Sequence, residues 1–293
     1  MTRRLAKGLA IASAVVAGLV VLAAAGVYVR SMLILGRTYD VPLVPIAVPT
    51  DSASVAEGAR LAATRGCPSC HGARLEGRVV FEARGVARVV APNLTRAVRE
   101  HSVAELARVI RHGVRRDGRS VFVMPSAAFA GLSDADLGRL IAFLGTVPPV
   151  DGPGYELTVW PRGRVGLATG KFKPVAAGID HAAVGREAPG AADGATERRA
   201  LARNPRVLGG YVARTTCAEC HGADLRGDPS IGGPGLEVVG GYSLADFTTL
   251  LRAGVASGGR ELSMMTATAR ERFVHLTDAE VLGLYLYLRA LRP

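Results

Sequence analysis

The pentapeptide Cys-x-x-Cys-His occurs twice, as Cys67-Pro68-Ser69-Cys70-His71 and as Cys217-Ala218-Glu219-Cys220-His221, and the two copies use every cysteine of the 293-residue chain. Two thiols at this spacing can add across the two vinyl groups of a porphyrin, and a histidine at the next position then lies under the ring with a nitrogen for iron. This is the attachment pattern of c-type haem, and two patterns imply two covalently held haems. The rival readings explain less. Disulfides give no reason for a histidine at the next position, twice. A thioredoxin-like redox pair belongs in a strand–helix context that these segments lack. Zinc sites built from two such pairs usually separate them by about 15–20 residues, whereas Cys67 and Cys217 lie far apart in the chain.

The repeat extends beyond the cysteines. Gly72-Ala73-Arg74-Leu75-Glu76-Gly77 matches Gly222-Ala223-Asp224-Leu225-Arg226-Gly227. Ser102-Val103-Ala104-Glu105-Leu106 matches Ser243-Leu244-Ala245-Asp246-Phe247. Leu132-Ser133-Asp134-Ala135-Asp136-Leu137 matches Leu276-Thr277-Asp278-Ala279-Glu280-Val281. An internal repeat of this kind means two copies of one domain. Ser102 with Glu105 and Thr277 with Glu280 fit the capping box at a helix start, and Ser133 with Asp136 and Ser243 with Asp246 are shorter-armed versions. Apolar residues follow at helical spacing: Val103, Leu106 and Ile110; Leu137, Leu140, Ile141 and Leu144; Val281, Leu284, Tyr285 and Leu288.

The N-terminus carries a run without charge from Gly8 to Val29. As a helix it rises about 33 Å, enough to cross a hydrocarbon core of about 30 Å. It is longer than the apolar region of a signal peptide, which favours an uncleaved anchor over cleavage near Ala23-Ala24-Ala25. Arg3, Arg4 and Lys7 precede it, so the N-terminus is expected inside and the remainder on the periplasmic side of the cytoplasmic membrane. Prolines at 42, 45 and 49 then read as an extended tether. The net charge of +11 lies in the first two thirds, and residues 205–293 balance to zero. A neutral final third argues against a nucleic-acid partner, while the basic first domain suits an acidic protein partner.

Taken together, these motifs resemble class I cytochrome c domains, and the whole arrangement resembles membrane-anchored dihaem cytochromes c of bacteria. The resemblance implies an all-α fold, with two tandem class I cytochrome c domains after one transmembrane helix. It implies a methionine as the second iron ligand before the last helix of each copy. Met124 occupies that place in the first copy. Met264 and Met265 share it in the second, and Met265 aligns better because, like Met124, it closes the segment before the capped helix. The resemblance also implies a proline carbonyl accepting from the proximal histidine: Pro92 in Ala91-Pro92-Asn93-Leu94 and Pro234 in Gly233-Pro234-Gly235-Leu236. The implied cofactor-binding set is therefore Cys67, Cys70, His71, Met124 and Pro92, with Cys217, Cys220, His221, Met265 and Pro234. Iron falls to His71, Met124, His221 and Met265. His101, His112, His181 and His275 have no counterparts between the copies and are expected to be structural.

The expected organisation is an anchor and tether over 1–50, a first domain over 51–150, an interdomain segment over 151–204 and a second domain over 205–293. Pro92 follows His71 at a longer spacing than Pro234 follows His221, so Arg78 to Val90 is an insertion, read as a solvated basic loop in preference to a docking surface. Tyr155 and Trp160 suggest that the interdomain segment starts packed on a domain. Gly185 to Thr196 reads as a flexible linker. The function implied is single-electron transfer in a periplasmic or membrane respiratory chain, without catalytic residues of its own. Partners would be a dehydrogenase, a quinol-oxidising complex, a terminal oxidase or a soluble cytochrome. The alternative is a haem enzyme with one open iron, such as a dihaem peroxidase or a thiol-oxidising cytochrome.

Overall fold

Apolar stripes behind good caps make most of this chain helical. The computed structural model describes residues 2–184, 203–229 and 232–291; the stretch expected to be a flexible linker, 185–196, lies outside the described residues. Helix α1 (Thr2–Gly36) presents its apolar side chains outward, and its Arg3–Gly36 portion is long and apolar enough to cross a membrane. Near its end, Arg164 donates to Ser31 Oγ at 2.9 Å and lies over the Tyr28 ring.

The first unit contains α2 (Ser52–Thr64), α3 (Cys67–His71), α4 (Leu94–Glu100), α5 (Val103–His112), α6 (Ser126–Phe129) and α7 (Asp134–Thr146). Asp51 caps α2 and Asn93 caps α4. The capping box on α5 is complete: the Ser102 side chain accepts from Glu105 N, and the Glu105 carboxylate accepts from Ser102 N at 2.8 Å. Leu106 and Ile110 of α5 join Leu137, Leu140 and Ile141 of α7 in one core. Helix α2 crosses α7 at Gly58, where a Cβ would collide with the Arg139 carbonyl, so only glycine allows the approach.

One region departs from the all-α expectation. The insertion is a β-hairpin, β1 (Arg78–Ala83) and β2 (Ala87–Ala91), and the interdomain segment adds β3 (Glu156–Val159) to give an antiparallel sheet in the order β1-β2-β3. Arg78 pairs with Ala91, Ala83 with Ala87, and Val89 with Leu157. β-Branched Val79, Val80, Val89 and Val90 favour strands, and Gly85 at φ 79° closes the turn. Val89 and Val90 are buried, so this segment is not a solvated loop. The interdomain segment continues as α8 (Pro161–Ala168), with the Trp160 N–H on the Val86 carbonyl at 2.9 Å. The start of that segment is thus packed on the first unit, as Tyr155 and Trp160 suggest.

The second unit repeats the plan: α9 (Pro205–Val212), α10 (Ala218–His221), α11 (Leu244–Ala253), α12 (Ser263–Glu271) and α13 (Asp278–Leu288). A π-turn, 213–217, links α9 to α10. A short pair, β4 (Gly227–Asp228) with β5 (Gly233–Pro234), stands where the first unit has its hairpin, and β6 (Val255–Ala256) pairs with β7 (Arg260–Glu261) farther on. Thr277 and Glu280 complete the capping box on α13. Helix α9 meets α13 at Gly209, where a Cβ would strike the Gly283 carbonyl, the same close crossing as at Gly58.

The two units pack directly on each other. The Tyr211 hydroxyl donates to Asp136 at 2.7 Å and accepts from Ser133 N at 3.2 Å, and Arg60 of α2 pairs with Glu280 of α13 at 2.7 Å.

Candidate functional site

Each Cys-x-x-Cys-His segment follows a longer helix, after a tight break in the first copy and through the π-turn that contains Cys217 in the second. In the first copy the break is Gly66 at φ 72°, and Pro68 opens α3. The four cysteines are free thiols. Burial pushes Cys67 up to about 11 and Cys217 up to about 12, with Arg65 and Arg272 opposing in both cases. Burial, followed by the Glu219 carboxylate, also raises Cys70 and Cys220. These are neutral thiols against an apolar wall, not activated nucleophiles.

His71 is nearly buried, and its Nδ1 lies 2.7 Å from the Pro92 carbonyl; His221 Nδ1 lies 2.7 Å from the Pro234 carbonyl. A proline carbonyl only accepts, so Nδ1 carries the proton in both rings and the lone pair is on Nε2. Burial lowers the basicity of His71, with the Pro92 bond opposing. Both rings are therefore held in one orientation, with Nε2 the nitrogen left to ligate a metal.

The proline loops are placed by the same device in both copies. Leu75 and Leu225 adopt positive φ, 60° and 63°, and both are buried. Their carbonyls accept from Leu94 N at 2.9 Å and Leu236 N at 2.8 Å, which returns the chain beside the histidine. A leucine held there costs about 1–3 kcal/mol, offset by its burial and by these bonds. In the first copy Asn93 adds a second clamp. Its Nδ2 donates to the Val150 carbonyl at 2.6 Å, and its N–H donates to the Pro153 carbonyl at 2.8 Å.

A cavity of about 660 Å³ opens beside α3, lined by Cys67, Cys70, His71 and Met124 together with apolar residues such as Phe129 and Leu140. Its size falls within the range of ligand and cofactor sites. Arg115 and Tyr155 also line it; the guanidinium lies 4.7 Å from the ring centroid, and Arg115 Nε and the Tyr155 hydroxyl are buried without partners. Two thiols, a proton-locked histidine, a thioether and two unsatisfied donors in an apolar chamber fit a porphyrin bearing iron and carboxylates. In the second copy, Met265 packs against the core that also holds Cys217, whereas Met264 is 58% exposed.

The remaining histidines lie as follows. His101 lines the rim of the cavity with Nδ1 3.1 Å from the Ala97 carbonyl, His112 and His181 pair through their Nδ1 atoms at 3.0 Å, and His275 is exposed. The sequence marks Tyr155 only as a packed residue and does not mark Arg115, so neither is expected in the cavity. Nothing local places them there, because the cavity brings together α3, the turn after α5 and the interdomain segment.

Residues 53–144 match the family model described as cytochrome c oxidase, cbb3-type, subunit III, and residues 208–292 match the cytochrome c model. The chain carries two cytochrome c domains. Cytochrome c domains hold haem covalently, so two domains with a Cys-x-x-Cys-His each make two haems c. Among full-length relatives, the chain is 24% identical over 277 residues to the fructose dehydrogenase cytochrome subunit of Gluconobacter japonicus, covering 85% of this chain and 55% of that protein. It is 26% identical to the cytochrome c subunits of quinone alcohol dehydrogenases from Gluconacetobacter polyoxogenes and Komagataeibacter europaeus, covering 83% of this chain and 57% of each. The chain thus spans little more than half the length of these relatives.

Proposed function

We propose that this chain is a dihaem c-type cytochrome that passes single electrons as the cytochrome subunit of a membrane-bound dehydrogenase. A haem c supplies a one-electron iron couple when bound. The chain's own residues set how that couple is held. Cys67 and Cys70, and Cys217 and Cys220, fix each ring by thioether bonds. His71 and His221 present Nε2 to iron, oriented by Pro92 and Pro234. Met124 and Met265 would supply the second ligand to each iron, which would leave no vacant site for a substrate and suits a carrier rather than an enzyme. Helix α1 anchors the chain with its N-terminus inside, which places both cytochrome domains, 51–150 and 205–293, on the periplasmic side. The segment 151–204 connects them and contributes Tyr155 to the first site.

The observation that carries this reading is the duplicated Cys-x-x-Cys-His unit whose histidine is proton-locked on a proline carbonyl at 2.7 Å in both copies. The dehydrogenase partner rests on the names of the similar proteins and on the basic first half of the chain. The test is carbon monoxide binding to the fully reduced, purified protein, followed in the haem absorption spectrum. Two unresponsive haems are expected. Gas binding at either one would move the reading to the haem enzyme with an open iron and would remove the methionine of that copy as a ligand.

A further inference from the structure

Between the two attachment helices lies a buried guanidinium that no carboxylate touches among the described residues. Arg65, immediately before Gly66 and Cys67, is 3% exposed. Its guanidinium donates to Thr64 Oγ1 and to Thr215 Oγ1, each at 3.0 Å, and its Nε has no partner. Among the described residues it forms no ion pair. Two carboxylates of this interface are committed elsewhere: Glu219 to Arg272 at 2.8 Å, and Glu280 to Arg60 at 2.7 Å. A buried cation satisfied only by hydroxyl groups is costly to a fold, so its retention asks for a reason.

Its place supplies one. Thr215 belongs to the π-turn that leads into Cys217, so Arg65 joins the residue before one haem-attachment helix to the turn before the other. The attachment helices themselves reach across. Ala218 packs against the core of the first unit, and Ser69 Oγ donates to Glu271 at 2.7 Å. Arg272 bridges Glu219 and the Thr64 carbonyl, with Gly66 tight against its guanidinium. The Arg272–Glu219 pair is neutral as a unit, so Arg65 is the buried guanidinium of this seam with no carboxylate in contact among the described residues.

Reduction of a haem adds negative charge, and a cation held nearby at low dielectric favours that state. We infer that Arg65 is a shared positioning charge: one buried guanidinium raises the reduction potentials of both haems at once and ties their reductions to a single interface. This rests on the dihaem carrier reading above and deepens it.

The test is potentiometric titration of the full-length, haem-loaded protein. Wild type must first give two reversible one-electron waves; failure there overturns the carrier reading itself. Given two waves, Arg65→Gln is expected to move both to lower potential, and Arg65→Lys is expected to restore both. Thr215→Val, which removes a hydrogen bond and no charge, is expected to leave them close to wild type. Waves that stay in place in Arg65→Gln, or movement of the first alone, overturn the inference. If Arg65→Gln does not yield loaded protein, Thr215→Asp decides, because it sets a carboxylate beside the same guanidinium and is expected to lower both potentials. No shift, or a shift of the second wave alone, overturns the inference.

Discussion

The two cytochrome domains share a motif and differ in enclosure. In the first, the hairpin of β1 and β2, backed by β3, fills the chain between His71 and Pro92, and His71 is 9% exposed. In the second, the two-residue strands β4 and β5 make the return to Pro234, and His221 is only half-buried. Histidine geometry is nevertheless the same, 2.7 Å to the proline carbonyl in both. The motif and its strained leucine therefore set ligation, while the inserted and interdomain segments set how much solvent reaches the site. Enclosure matters for an electron carrier because burial disfavours the more highly charged oxidised iron.

The largest test of this contrast empties one site at a time. Cys217→Ala with Cys220→Ala is expected to leave a folded chain with one haem, counted by haem absorbance per protein. Cys67→Ala with Cys70→Ala leaves the enclosed first cavity without its occupant and is expected to cost about 3–5 kcal/mol, as large emptied core sites do. The reverse order of stabilities by denaturant unfolding would break the comparison. Next, Gly163→Ala puts a Cβ against the Val86 carbonyl, under the hairpin. A loss of about 2–3 kcal/mol is expected from such overpacking, with faster amide exchange in β1 and β2 and none in the second domain. Exchange that rises equally in both domains would show that the sheet is not a local cover.

A smaller effect tests the seam. Tyr211→Phe removes the hydroxyl held by Asp136 and Ser133 N. A loss of about 1.5 kcal/mol is expected for a buried bond to a charged group, seen as a lower melting temperature with both haems retained. An unchanged melting point would mean that the units are joined elsewhere. The smallest effect is one of pH. Burial, then His181, then Arg111 and Arg108, lower His112 from 6.5 to about 4. Between those values the unfolded chain takes up a proton that the folded chain refuses, so this contribution to stability is complete above pH 6.5 and lost as pH falls toward 4. The melting temperature should decline over that window, and His112→Asn should flatten the decline. An equal slope in the variant would place the effect in another group.

Much of the two sites is legible in the amino-acid order because the relevant signals are local. Cys-x-x-Cys-His, the Ser102–Glu105 and Thr277–Glu280 boxes and the repeated Gly-Ala-x-Leu-x-Gly each act within a few residues, and a duplication doubles every signal. The hairpin was less legible. Its valines carried a strand signal, but Arg78, Arg84 and Arg88 suggested a solvated loop, and the strand that buries Val89 arrives from residues 156–159. Arg65 and Arg115 are not legible at all, and Tyr155 is legible only as a packed residue, not as part of a site. Each takes its meaning from a neighbour on a distant segment, Thr215 for Arg65 and the cavity wall for the other two, and nothing in their own surroundings in the sequence marks a buried arginine or an orphaned hydroxyl.

β3 has a practical consequence for anyone who divides this molecule. A fragment stopped at residue 150 would contain the whole first attachment motif and every helix around it, yet β2 would no longer be the central strand. Its backbone from Ala87 to Val90 would face water with unpaired donors and acceptors beside Val89 and Val90. Such an edge is a template for pairing with another copy. The strand supplied from between the domains is thus a guard against self-association, and a soluble first half has to keep it.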